Sequence, residues 1–173
     1  MIDSLALPTG LAVRDSTILI RRATPADLRS LLRLLGDDEV SASRGDAADE
    51  SDAPQLELAL RAILDDPSND LVVAVDHEDA PVGMLQLTRI PGLSRRGSTR
   101  LLVEGVRVDR RLRSAGIGTG MMRWVMDSAA PATGAALVQL TSDARRDDAH
   151  RFYRGLGFDD SHVGFKWKAV QGS

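Results

Sequence analysis

The chain of 173 residues contains no cysteine. That excludes disulfide bridges, Cys–His metal sites and any acyl-enzyme carried on a thiolate. Aromatic residues make up 3% of the chain, too few for a surface that stacks nucleic-acid bases. No apolar run approaches the ~20 residues a membrane-spanning helix needs. The start Met1-Ile2-Asp3-Ser4 lacks the basic residues of a signal peptide. A formal net charge of -3 argues neither for a nucleic-acid partner nor for disorder. These absences lead us to expect a soluble, cytoplasmic protein with no nucleic-acid and no membrane partner. Its length suits one domain with a proper core.

What is present reads as interspersed helices and strands. Residues 1–17 carry Pro8 and Gly10 without clear periodicity and are expected to form a flexible arm ahead of a single domain over 18–170. Ile18-Leu19-Ile20 suggests a short strand. Thr24-Pro25-Ala26-Asp27 then gives a helix start, with a hydroxyl at N-cap, proline at N1 and a carboxylate at N3. Leu28, Leu31, Leu32 and Leu35 form the buried stripe of that helix, and Leu56, Leu60, Ile63 and Leu64 mark a second. Strands are expected at 71–75, 81–87, 99–108, 136–140 and, closing the sheet, 163–169. Two further helices are expected, one carrying Ile117, Met121, Trp124 and Val125, the other over 147–156. Short connections imply antiparallel hairpins, so the fold class is α/β (α+β), with a mixed, mostly antiparallel central sheet flanked by helices.

The most informative stretch is Val103-Glu104-Gly105-Val106-Arg107-Val108-Asp109-Arg110-Arg111-Leu112-Arg113-Ser114-Ala115-Gly116-Ile117-Gly118-Thr119. It reads as a strand, a short basic loop and a glycine-punctuated helix start. Backbone N–H groups in a first helical turn have no intrahelical partner, so they can converge on an anion such as a pyrophosphate. Glycines at 116 and 118 let the backbone approach it without a Cβ in the way. Read instead as packing glycines, Gly116, Gly118 and Gly120 would each cost about 1 kcal/mol against alanine inside a helix. A Rossmann site fails on spacing, because its glycines follow the strand at once, whereas Gly116 lies eight residues beyond Val108. A second motif follows, Ala149-His150-Arg151-Phe152-Tyr153-Arg154-Gly155-Leu156-Gly157-Phe158.

The two motifs, in this order, resemble the GNAT family of N-acetyltransferases. The resemblance covers roughly residues 18–170 and implies that family's acyl-CoA N-acyltransferase fold, acetyl-CoA as co-substrate and no metal. The family's phosphate signature (Arg or Gln, two residues, Gly, one residue, Gly or Ala) stands here as Arg113-Ser114-Ala115-Gly116-Ile117-Gly118. It implies that Arg113, Ser114, Ala115, Gly116, Gly118 and Thr119 cradle the pyrophosphate. Ser114 replaces a common glycine and is strained if that position needs a positive φ. Arg95, Arg96, Arg100, Arg107, Arg110, Arg111 and Arg113 form a basic run around the loop; Arg110 and Arg111 are the candidates to face the terminal phosphates of CoA.

In the family the strand before the loop splays from its neighbour and its backbone pairs with the pantetheine arm. That places Val106 and Val108 as cofactor-binding positions, with Gly105 a natural site for a bulge. Glu104 is the one acid in an apolar strand start. If buried it would have a raised pKa and suit a general base, a role several family members give this position; an ion pair with Arg89 or Arg100 is the alternative. Tyr153 sits where the family places a tyrosine near the CoA sulfur. Its phenol, with an ordinary pKa near 10, could reprotonate the leaving thiolate, or simply pack with its hydroxyl bonded to backbone. Arg146 stands where many relatives have a cofactor-touching Asn, and Ser142 is a weak substitute. His150 reads as a solvent-facing helix residue, while His77 and His162 have no recognisable context.

The acceptor is the least legible part. The family builds that side from the first two helices and the loop between them. Here the stretch from Gly36 to Pro54 carries seven Asp or Glu against one Arg. An acidic wall at 37–52 would attract a cationic amine, and a solvated linker would look the same. Three classes remain: an acetyltransferase of small-molecule amines, one of protein lysines or N-termini, and a non-catalytic acyl-CoA-binding regulatory domain. A homodimer stays open.

Overall fold

The computed structural model describes residues 2–14, 16–37 and 52–167. They divide into two compact units, Met1–Leu140 and Thr141–Ser173.

The first unit is a six-stranded sheet in the order β1-β2-β3-β4-β5-β6. Its strands are β1 (Thr9–Ala12), β2 (Thr17–Arg22), β3 (Asn69–Val75), β4 (Pro81–Ile90), β5 (Thr99–Val108) and β6 (Ala135–Leu140). Neighbours pair antiparallel except β5 and β6, which run parallel. The expected mixed, mostly antiparallel sheet is therefore what forms.

Helix α1 (Leu28–Gly36) and helix α2 (Ala53–Leu64) cover one face. Leu31, Leu34 and Leu60 meet Leu71, Val73, Val75 and Met84 there. The period of two along β3 sends Val72 and Ala74 to the opposite face. There α3 (Ile117–Trp124) packs: a Cβ built on Gly83 would lie 3.1 Å from Met121 Sδ and 3.4 Å from the Ala74 Cβ. The start of α1 follows its sequence signal. The Thr24 N–H donates to Asp27 Oδ2 at 2.7 Å, and the Arg21 fork holds the same carboxylate from Nη1 and Nη2 at 2.8 and 3.0 Å. Burial alone would raise the Asp27 pKa, but the Arg21 and Thr24 hydrogen bonds outweigh it and the net direction is down.

The arm expected over residues 1–17 is instead ordered over its described part, with a 3-10 turn at Ile2–Ser4 and a strand at Thr9–Ala12. Thr9–Ala12 pairs with Thr17–Ile20, and Ile2, Leu5 and Leu11 are buried. The strand is four residues long and contains Gly10, too short for its alternation to register as a pattern. Gly120 explains part of the glycine motif in the same terms. A Cβ there would lie 2.9 Å from Ala12 O and 3.0 Å from Leu11, so this glycine serves the contact between α3 and β1.

The second unit holds α4 (Asp147–Gly155). The expected closing strand at 163–169 does not form over its described part: residues 158–167 carry no regular structure. Val163, Phe165 and Trp167 are 80%, 93% and 86% exposed. Their alternation suits a strand, but a strand needs a partner for its backbone, and this unit contains none among the described residues. Residues 168 and 169 lie outside the described residues. No helix among the described residues is long and apolar enough to cross a membrane.

The Gly120 contact yields a stability prediction. Gly120→Val should destabilise the protein by about 1–3 kcal/mol, because a branched side chain must displace β1 or α3. Urea unfolding at neutral pH measures this, and an unchanged midpoint would contradict the packing.

Candidate active site

β5 changes character along its length. Over Thr99–Val103 it lies between β4 and β6, and the pairing with β6 ends at Val103↔Leu140. From Glu104 to Val108 it pairs, among the described residues, with β4 alone. At the same point its register with β4 slips: Gln86 faces Glu104, Met84 faces Arg107, and Gly105 and Val106 together oppose Leu85. Gly105 has φ +59, which makes it the bulge expected from the sequence. The Asp109 N–H donates to Val82 O at 2.8 Å. Successive N–H groups on a strand point to opposite sides, so those of Val106 and Val108 face the open edge.

Beyond β5 the chain makes a 3-10 turn at Arg110–Leu112 and then two left-handed steps. Ser114 has φ +70 and Gly116 φ +88. The serine thus does occupy the conformation that favours glycine, at a cost of roughly 1–2 kcal/mol. Gly116 is the N-cap of α3. The first i→i−4 bond of that helix runs from the Gly120 N–H to Gly116 O at 2.9 Å, so the N–H groups of Ile117, Gly118 and Thr119 precede the helical ladder. Arg113, Ser114 and Thr119 are exposed, and Ala115 and Gly118 half-buried. A bare first turn, two left-handed residues and an exposed approach fit a pyrophosphate. The open edge of β5 fits an amide-bearing arm such as pantetheine.

The loop hangs on a carboxylate that sequence reasoning did not single out. Asp109 is 2% exposed. It accepts from Arg33 Nη1 of α1 at 2.6 Å, from Arg111 Nε and Nη2 at 3.1 and 2.8 Å, and from the Arg111 N–H at 3.0 Å. The Arg111 guanidinium, helped by Arg33 and the Arg111 N–H, holds the Asp109 carboxyl far below the usual carboxylate range, against the opposing effect of burial. Arg111, expected to face the phosphates, is therefore folded back onto Asp109. Arg33 also reaches Pro81 O at 3.1 Å, and Asp37, just past α1, accepts from the Arg110 N–H at 2.8 Å. A lone Asp after a strand carries no sequence signal; only the distant Arg33 gives it meaning.

Glu104 is exposed, not buried. It follows Val103 on the outward side of the strand, away from the face that buries Leu101 and Val103. Arg89, one candidate partner, donates instead to Thr133 O at 3.1 Å. Tyr153 belongs to the second unit and is half-buried on α4. Phe152 and Phe158 meet its ring edge-on, with centroids 5.2 and 5.9 Å away. Arg146 is the N-cap of α4 and Ser142 is half-buried. His150, expected in solvent, is half-buried with Nε2 2.9 Å from Asp143 O. His77 is 89% exposed, and His162 lies in the exposed 161–167 stretch. The acidic wall at 37–52 lies outside the described residues apart from its two ends.

The model of the acetyltransferase (GNAT) family matches residues 30–158. Among solved structures, a transcriptional regulator from Bacillus halodurans C-125 is 38% identical with a TM-score of 0.81, the match covering 88% of this chain and 99% of that one. A putative acetyltransferase from Agrobacterium tumefaciens str. C58 is 25% identical, with a TM-score of 0.73 over 87% of this chain and 99% of that one. The glucosamine-6-phosphate N-acetyltransferase of Arabidopsis thaliana, 17% identical with a TM-score of 0.70, shares the fold over 88% of this chain and 99% of its own. Among curated proteins no sequence matches.

Asp109→Asn tests the carboxylate. The side chains of Arg33 and Arg111 are 45% and 80% exposed, so solvent screens them and the expected loss at pH 7 is about 1–3 kcal/mol. The folded-state pKa lies below the unfolded one. The wild-type advantage is therefore complete above about pH 4 and shrinks as pH falls toward the folded value. Denaturant unfolding of both proteins from pH 7 to pH 3 measures it, and a constant difference would contradict the assignment.

Proposed function

We propose that this chain, which belongs to the acetyltransferase (GNAT) family, moves the acetyl group of acetyl-CoA directly to a primary amine, that of a small molecule. The observation that carries the reading is the open edge of β5 followed, after one 3-10 turn, by the left-handed residues and bare first turn of α3. Acetyl-CoA, when bound, supplies a thioester whose leaving group is a thiolate. Arg113, Ser114, Ala115, Gly116, Gly118 and Thr119 hold the pyrophosphate, mostly through backbone N–H groups, with the dipole of α3 behind them. The N–H groups of Val106 and Val108 bind the arm and polarise the thioester carbonyl. Glu104 takes a proton from the acceptor ammonium, directly or through water, and freeing that nitrogen lone pair makes it a nucleophile. Tyr153 gives its proton to the departing sulfur. A chain without cysteine has no evident covalent nucleophile, which supports transfer within a ternary complex.

The acceptor rests on charge. The acidic composition of the stretch between the first two helices suits a cationic amine as acceptor. The 38% identical structure is named a transcriptional regulator, which keeps a non-catalytic acyl-CoA-binding regulatory domain as an alternative beside transfer to a protein lysine or N-terminus.

Three measurements test this. CoA release across a panel of amines and peptides separates the two acceptors, with turnover of small amines expected and turnover of peptides alone contradicting the first reading. Initial-rate lines in both substrates should intersect; parallel lines or an isolable acetyl-enzyme would exclude direct transfer. Glu104→Gln and Tyr153→Phe should each lower the chemical step by about 10²–10⁴ while leaving CoA affinity nearly intact. For Glu104→Gln the loss should be greatest at low to neutral pH and partly recovered at high pH, where the free amine is supplied by solution. Wild-type turnover in either variant would remove that residue from the chemistry.

A further inference from the structure

We infer that the turn after β1 is part of the cofactor site, with Arg14 as an added cation for the phosphates of CoA. The inference rests on the reading of 113–119 as the phosphate cradle, and adds a segment that precedes the family match at residues 30–158. The Arg14 N–H donates to Ala115 O at 3.2 Å. In a planar trans peptide the C=O of one residue and the N–H of the next point in opposite directions. Drawing the Ala115 carbonyl toward the β1 turn therefore aims the Gly116 N–H away from it, outward from the loop.

The contact is close enough to dictate sequence. A Cβ on Gly116 would lie 3.0 Å from Arg14 N and 3.6 Å from the Arg14 Cβ. Gly116 is thus required twice, by its φ of +88 and by this approach. Gly120, one turn along α3, is required by Ala12 O in the same segment. The consequence is that a long cationic side chain is rooted against the N-cap residue of the helix that carries the cradle. Arg14 is exposed, so its guanidinium is available to solvent and ligand. Among the cations of the loop itself, Arg111 is committed to Asp109, and Arg113 Nη2 lies 3.4 Å from Asp37 O. Arg14 supplies positive charge from the other side of the turn.

Calorimetric titration of CoA and of dephospho-CoA, which lacks the 3′-phosphate, tests this on wild type, Arg14→Ala and Arg14→Lys. Arg14→Ala should weaken CoA binding about fivefold, the upper end for one exposed charge pair, and Arg14→Lys should retain most of the affinity. The difference should shrink in high salt. A loss on both ligands assigns Arg14 to the pyrophosphate, and a loss on CoA alone to the 3′-phosphate; either supports the inference. The unliganded melting temperature of Arg14→Ala should match wild type, because the side chain is exposed. If wild type binds CoA and Arg14→Ala binds it equally well, the inference on Arg14 falls while the cradle stands. If wild type does not bind CoA, both fall.

Discussion

The Asp109 carboxylate is the constraint on which the rest of the site depends. It sits where β5 ends and the phosphate loop begins, and its hydrogen bonds tie that point to α1 through Arg33 and to the following turn through Arg111. A buried carboxylate is costly unless it is paired and fully hydrogen-bonded. Here both conditions hold, so the exit direction of the chain from the sheet is fixed. The left-handed residues at 114 and 116 then turn the chain into α3 from a defined start. Moving Asp109 would move the bare first turn relative to the open edge of β5, and one long ligand could no longer lie along both.

The same interaction links α1 to the loop that follows β5. Arg33 belongs to the helix that precedes the acidic stretch, and Asp37, at the end of that helix, accepts from the Arg110 N–H. Helix α1 and the turn after β5 therefore share anchors. From the other direction the β1 turn braces Ala115 and Gly116. The cradle is held between an ion-pair network on one side and a hairpin backbone on the other, a form of preorganisation in which the donors need not be ordered when the anion arrives.

Much of this was legible in the sequence. Strands with β-branched runs, the first two helices, the Thr24–Asp27 start and the Gly105 bulge follow from period and local chemistry, although Leu34 rather than Leu32 joins the core from α1. The sequence left open whether Ser114 needed a positive φ, and the structure gives it one. What was not legible depended on distant partners. β1 is too short to show alternation, and Asp109 means nothing until Arg33 arrives from 76 residues away. The apolar neighbours of Glu104 left its burial open, and the alternation of the strand turns its carboxylate outward. The alternating Val163, Phe165 and Trp167 carry strand chemistry without a strand to pair with among the described residues of their unit.

The central claim is that one continuous backbone surface, the open edge of β5 and the first turn of α3, receives acetyl-CoA. Amide chemical-shift mapping by NMR on adding CoA tests it most directly, because it reads each N–H separately. The account predicts that the largest changes fall on Val106, Val108 and residues 113–119, with a smaller group at Arg14. Saturable binding with those amides unmoved and the changes gathered elsewhere would contradict it.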